Sequence, residues 1–161
     1  GCGTALQEKP GRPQTVTLPN GATLSLRKDS LNYNLAKFLA SKDDTEVPRT
    51  FVFDHLNFTS GTTQLTPASM PTLRDLASIL KAYPSVEVRL DGHTDNVGDA
   101  ETNTTLSLNR AEGVKALLVK SGIASKRLST AGFGQDRPVA PNTTEEGKAR
   151  NRRLELVVLK K

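Results

Sequence analysis

The chain has 161 residues, 35% hydrophobic and 24% charged, which is enough for one core and too apolar and periodic for wholesale disorder. Its net charge of +5 favours an anionic neighbour, yet an aromatic content of 4% without tryptophan removes the stacking platform of a nucleic-acid binder. The single cysteine, Cys2, excludes an internal disulfide and a cysteine metal cluster, and no apolar run reaches the roughly 18 residues of a membrane-spanning helix.

Residues 1–14, rich in Gly, Pro, Lys and Gln, read as a tether. Within it, Gly1-Cys2-Gly3 has two readings: a lipoprotein acylation site exposed by removal of an upstream apolar segment, or a cysteine of no special role, as after an upstream membrane helix. Membrane association is therefore expected only through an upstream anchor or lipidation at Cys2.

A separate unit follows over 15–47. Thr15-Val16-Thr17-Leu18 and Thr23-Leu24-Ser25-Leu26 alternate around Pro19-Asn20-Gly21-Ala22, the pattern of a β-hairpin, because Asn and Gly tolerate positive φ. Asp29 or Ser30 can cap a helix carrying Leu31, Leu35, Phe38 and Leu39 at spacings of three and four.

The main domain is expected over 48–161. Thr50 to Phe58 reads as a strand, and Thr66-Pro67 opens a helix with the stripe Leu73, Leu76, Ala77 and Leu80, stopped by Tyr83-Pro84. Val86, Val88 and Leu90 alternate with Glu87, Arg89 and Asp91 in a second strand, which Gly92 is expected to end. Asp99 caps a helix that runs to about Ser121, with Gly122 at its stop. A short strand over 127–132, a turn at Gly132-Phe133-Gly134, a short helix from Thr143 or Thr144 to Ala149, and a strand from Leu154 to Leu159 complete the order. Strands alternating with helices predict an α/β (α+β) two-layer sandwich: a mixed sheet with two long helices on one face, plus the N-terminal hairpin and helix.

The chemistry concentrates in Leu90-Asp91-Gly92-His93-Thr94-Asp95-Asn96-Val97-Gly98 and the helix behind it. On a helical wheel Leu106, Ala111, Val114, Leu117 and Leu118 form the apolar arc, and Asn103 and Arg110 fall inside it. An unpaired buried guanidinium costs several kcal/mol, so Arg110 must face Asp91 or Asp95, snorkel to water, or face a ligand. An acid and a guanidinium directed at one crevice suit a zwitterion. His93, Asp95 and Asp91 are too few and wrongly spaced for a metal site, and no nucleophile motif accompanies them, so neither catalysis nor a metal or cofactor is expected. Arg150-Asn151-Arg152-Arg153 reads as a solvated charge run, an anion-binding rim, or a set of phosphate contacts.

Taken together, these residues resemble the OmpA-like C-terminal domain family, the peptidoglycan-anchoring module of Gram-negative outer-membrane proteins, lipoproteins and flagellar stator proteins. The resemblance spans residues 50–159. It is carried by Leu56-Asn57-Phe58 with Leu65-Thr66-Pro67, Asp91 to Gly98, Leu106 to Ala111, Arg127 to Gly134, Pro138-Val139-Ala140, and Glu146-Gly147 through Asn151-Arg152-Arg153-Leu154-Glu155, in that order.

The resemblance implies noncatalytic binding of the meso-diaminopimelate of peptidoglycan stem peptides, in the periplasmic cell envelope and associated with the outer membrane. Asp95 matches the family aspartate that takes the ligand's side-chain ammonium, and Arg110 the arginine that grips the adjacent carboxylate. Asn103 and Arg152 match further family positions, and backbone amides around Thr94, Asn96 and Val97 complete the implied carboxylate site. Gly61 stands where many members carry asparagine. Two alternatives compete with this reading: a peptidoglycan amidase or hydrolase using His93 and Asp95, and nonspecific polyanion binding through Arg150, Arg152 and Arg153.

Overall fold

The computed structural model describes residues 12–161, so Cys2 and most of the expected tether lie outside the described residues. β1 (Pro13–Thr17) pairs antiparallel with β2 (Thr23–Arg27), and residues 13 and 14, expected in the tether, belong to this hairpin. Its turn uses the Asn-Gly chemistry: Gly21 takes φ 88°, and the Asn20 side chain accepts from the Ala22 N–H. α1 (Leu31–Ala40) is capped by Ser30, whose hydroxyl accepts the Tyr33 N–H, while Asp29 turns the chain just before it at φ 71°.

This extension is built into the main core. Leu18, Leu26, Leu31 and Leu35 belong to one buried cluster with Leu76 and Leu80 and with the sheet residues Val88, Leu90, Leu156 and Val158. Polar bonds fix the junction: Asp54 Oδ1 accepts the Leu31 N–H and Asn32 Nδ2 donates to the Thr72 carbonyl. Each fully buried Leu or Val contributes about 1.5–3 kcal/mol, so the shared cluster dominates the docking.

The main sheet has four strands in the order β3, β6, β4, β5, built from β3 (Arg49–Val52), β4 (Glu87–His93), β5 (Leu128–Gly134) and β6 (Arg153–Lys160). β6 runs antiparallel to both of its neighbours and β4 runs parallel to β5, so the sheet is mixed. α2 (Met70–Ala82) and α3 (Ala100–Lys120) supply Leu73, Leu76 and Leu80 and then Ala111, Val114 and Leu118 to its buried face. The short α4 (Glu145–Asn151) precedes β6 and is capped by Thr144, whose hydroxyl accepts from the Gly147 N–H.

Four local expectations are corrected. The strand expected over 50–58 ends at Val52 with one further sheet bond from Phe53, because His55 takes φ 51° and Asp54 is drawn to α1. Phe58 then pairs with Leu65 in an isolated bridge, and the intervening loop is free to curl around the site. Thr66-Pro67 opens a 3-10 turn (Pro67–Ser69) rather than α2 itself, and Thr66 bonds the Ser69 hydroxyl instead of a helix N–H.

Gly92 does not end β4, and Gly132-Phe133-Gly134 is strand rather than turn. Gly92 and Gly132 are register partners beneath α3. A Cβ on Gly92 would lie 2.2 Å from the Ser107 carbonyl oxygen, and one on Gly132 would lie 2.6 Å from Leu108 Cβ and N. Glycine serves here to let helix and sheet approach, which in sequence is indistinguishable from turn chemistry.

Candidate binding groove

At the carboxyl end of β4 the register shifts between Gly92 and His93, and the Thr94 N–H reaches the Gly134 carbonyl at 2.8 Å. The loop that follows closes on itself: Asp95 Oδ1 accepts the Val97 N–H at 3.0 Å and the Thr94 hydroxyl donates to the Asp95 carbonyl at 2.7 Å. Asp99 then caps α3 by accepting the Thr102 N–H, an interaction worth about 1 kcal/mol. Asn103, 8% exposed in the first turns of α3, donates to the Val97 carbonyl at 2.9 Å and ties the loop to the helix.

Arg110 lies farther along the same helix, half-buried. Its Nε donates to the Thr62 carbonyl at 2.8 Å, and its guanidinium stands 4.8 Å from the Phe58 ring centroid. Neither internal acid reaches it, since Asp91 is held bidentately by Arg89, at 2.6 Å from Nε, and Asp95 is held by Arg152 at 2.7 Å. Among the described residues Arg110 has no carboxylate partner, and burial lowers its pKa from the ordinary arginine value. A cation that is partly desolvated and unpaired is set for an anion from outside.

Asp95, Asn103, Arg110 and Arg152 line one groove of about 580 Å³, together with Ser60, Gly61, Thr94, Val97, Leu106, Glu145 and Lys148. A cavity of about 370 Å³ shares Ser60, Gly61, Arg110 and Arg152 with it and runs toward Gly92, His93 and Ser107. Gly61, at φ 70°, lies on this wall beside Ser60.

Some sequence-predicted contacts are placed differently. The Thr94 and Val97 N–H groups bond the Gly134 carbonyl and Asp95 Oδ1 within the protein, while both residues line the groove. Asn96 is exposed and is not among the groove's lining residues. The basic run divides: Arg150 is exposed, Arg152 meets Asp95, and Arg153 pairs with Glu155 at 2.7 Å and donates to the Arg137 carbonyl. Among the described residues no cluster of three His, Cys, Asp or Glu side chains could hold a metal ion.

His93 sits away from solvent, stacked on Phe133 with ring centroids 5.3 Å apart. Its Nε2 is 3.3 Å from Glu155 Oε1, close enough to bias that carboxylate although the angle is poor for a full hydrogen bond. His93 and then Arg153 hold the Glu155 carboxyl down at about 2, against desolvation, from an ordinary value of 4.5. A carboxylate pKa depressed by folding stabilises above the unfolded value, and the contribution is lost as pH falls from about 4.5 through about 2. Glu155→Gln is therefore expected to flatten the acid limb of a urea stability-versus-pH curve by up to about 3 kcal/mol. A variant that keeps the full wild-type acid slope would assign that slope to other carboxylates.

Several working residues escaped sequence reasoning. Phe58 and the Thr62 carbonyl, the latter 48 residues away, support Arg110, and only the folded path brings them together. Asn151, hidden in a basic run, is fully buried, and its amide bonds Val139, Ala140 and Asn142. The flanking charges gave no signal of that role.

The fold and groove define a two-layer α/β sandwich that presents opposed charges at the carboxyl ends of β4 and β5. The chain belongs to the OmpA family, which residues 57–152 match. It is 44% identical over 94 residues to the peptidoglycan-binding protein ArfA of Mycobacterium bovis, covering 58% of this chain and 29% of that protein. Among solved structures it resembles the peptidoglycan-associated lipoprotein of Burkholderia pseudomallei, with TM-score 0.59, 30% identity and coverage of 68% of this chain and 89% of that one. It also resembles the cell wall anchor of the T6SS of Pseudomonas aeruginosa, with TM-score 0.60, 31% identity and coverage of 79% and 97%. The chain spans less than half the length of the curated relatives it matches.

Proposed function

We propose that this protein binds peptidoglycan without cleaving it, through the zwitterionic side-chain end of meso-diaminopimelate in the stem peptide. In this reading it tethers the outer membrane or an envelope complex to the cell wall from the periplasm. The observation that carries it is Arg110, a half-buried guanidinium without a carboxylate partner among the described residues, lining the same groove as Asp95. Asp95 receives the ammonium and Arg110 the carboxylate on the same carbon; Asn103 holds the loop that presents Asp95. A lysine side chain in place of diaminopimelate would supply the ammonium and leave Arg110 unpaired, which gives the groove its specificity. The likeness to a peptidoglycan-binding protein and to a cell wall anchor supports peptidoglycan as the polymer bound.

The test is co-sedimentation with purified sacculi. The protein is expected to pellet with diaminopimelate-type peptidoglycan, to be released by free meso-diaminopimelate, and to stay largely soluble with lysine-type wall. Equal pelleting with both walls, or undiminished pelleting of Asp95→Ala, would overturn the zwitterion reading in favour of nonspecific polyanion attraction.

A further inference from the structure

The groove contains one more cation than a simple zwitterion needs. Its lining charges are Asp95 and Glu145 against Arg110, Lys148 and Arg152. Lys148 and Glu145 satisfy each other at 3.2 Å, which leaves two guanidiniums for the single carboxylate of Asp95.

Without a ligand, Arg152 settles that account for Asp95. Its Nη1 donates to Asp95 Oδ2 at 2.7 Å while Oδ1 is held by the Val97 N–H. The Arg152 contact is monodentate, made by a side chain that is 47% exposed, and is the one hydrogen bond of that guanidinium among the described residues. It is thus readily exchanged, whereas Arg110 is fixed by Thr62 and Phe58. A ligand ammonium that takes Asp95 competes for the carboxylate that neutralises Arg152. Arg110 is already committed to the carboxylate next to that ammonium, so Arg152 is left as a cation without a partner at the groove wall.

We propose that the groove selects a ligand with one ammonium and two carboxylates, and that Arg152 exchanges Asp95 for the second carboxylate. This rests on the zwitterion reading above and adds a charge requirement to it. In a diaminopimelate stem peptide the second carboxylate has two sources. One is the carboxylate at the other stereocentre of diaminopimelate, free only where the peptide stops at that residue. The other is the free carboxylate of a γ-linked glutamyl residue preceding it. In the first case the groove distinguishes trimmed stems from longer ones; in the second it reads the amidation state of the glutamyl residue.

Calorimetric titration of the whole chain with three synthetic peptides decides this: N-acetyl-Ala-γ-Glu-diaminopimelate, the same peptide with a carboxamide at the second diaminopimelate stereocentre, and the same peptide with a glutamyl carboxamide. One of the two carboxamides is expected to weaken binding to the wild type by about tenfold, and that peptide identifies the source. The same change should matter less than about twofold in Arg152→Gln, because the group that reads it has gone. If the wild type binds all three peptides equally, or Arg152→Gln still discriminates, the two-carboxylate requirement is overturned while the zwitterion clamp stands. If the parent peptide does not bind at all, the clamp itself falls and this inference with it.

Discussion

Arg110→Ala is expected to weaken binding of a diaminopimelate peptide by on the order of 2 to 5 kcal/mol, roughly thirty-fold to several-thousand-fold in Kd. The size follows from where the charge stands. A guanidinium on an exposed rim would be worth under about 1 kcal/mol to an anion, because water and salt screen it. Arg110 is half-buried, its pKa lowered by that burial, and its orientation is set in advance by the Thr62 carbonyl and the Phe58 ring. Little side-chain entropy remains to be lost when the ligand arrives, so most of the charge-assisted bond appears as affinity.

The same substitution should cost the fold little. Arg110 contributes one hydrogen bond to a carbonyl and one cation–π contact, together about 1 kcal/mol, and relieves no internal carboxylate. Binding and stability should therefore separate: titration loses the ligand while the Tm stays within a few degrees of wild type. Arg110→Lys should recover only part of the affinity, since an ammonium cannot reproduce the two-pronged grip on a carboxylate. An Arg110→Ala protein that binds like wild type, with its fold intact by circular dichroism, would remove Arg110 from the site.

What could be read in the sequence divides along a physical line. The hairpin, the Asp99 cap, the caps at Ser30 and Thr144 to within one residue, and the Gly122 stop at φ 107° rest on contacts within a few residues, and these were legible. Arg110 and Asn103 were legible for a related reason, as polar side chains on an apolar helical arc. The path from Asp54 to Thr66 was not. It is determined by Asp54 capping a helix 23 residues upstream, by Ser69 bonding Asn57, and by Arg110 drawing the Thr62 carbonyl toward it. No periodicity encodes such partners. The pairing of Asp95 with Arg152, 57 residues apart, was hidden in the same way, although both residues were singled out separately.

Gly92→Ala is expected to damage both stability and binding, and the link between the two runs through α3. The added Cβ would stand 2.2 Å from the Ser107 carbonyl oxygen and 2.8 Å from its carbon, both backbone atoms that no rotamer change can move. Relief requires α3 to lift from the sheet, or β4 to bend away from β5 and β6, and overpacking of this kind costs about 1–3 kcal/mol, sometimes more. Ser107 lies one turn before Arg110, and its hydroxyl also accepts the Gly134 N–H at 3.0 Å, so a displaced helix carries the guanidinium away from Asp95 and loosens the end of β5. Gly113→Ala on the same helix is the matched control. There the nearest atom to the new Cβ is the Thr63 carbonyl oxygen at 4.0 Å, and replacing a mid-helix glycine should stabilise by roughly 0.5–1 kcal/mol. Urea denaturation and peptide titration of the two variants should then move in opposite directions for stability, with affinity falling only in Gly92→Ala. Wild-type stability and affinity in Gly92→Ala would mean that the close approach of helix and sheet does not set the position of the clamp.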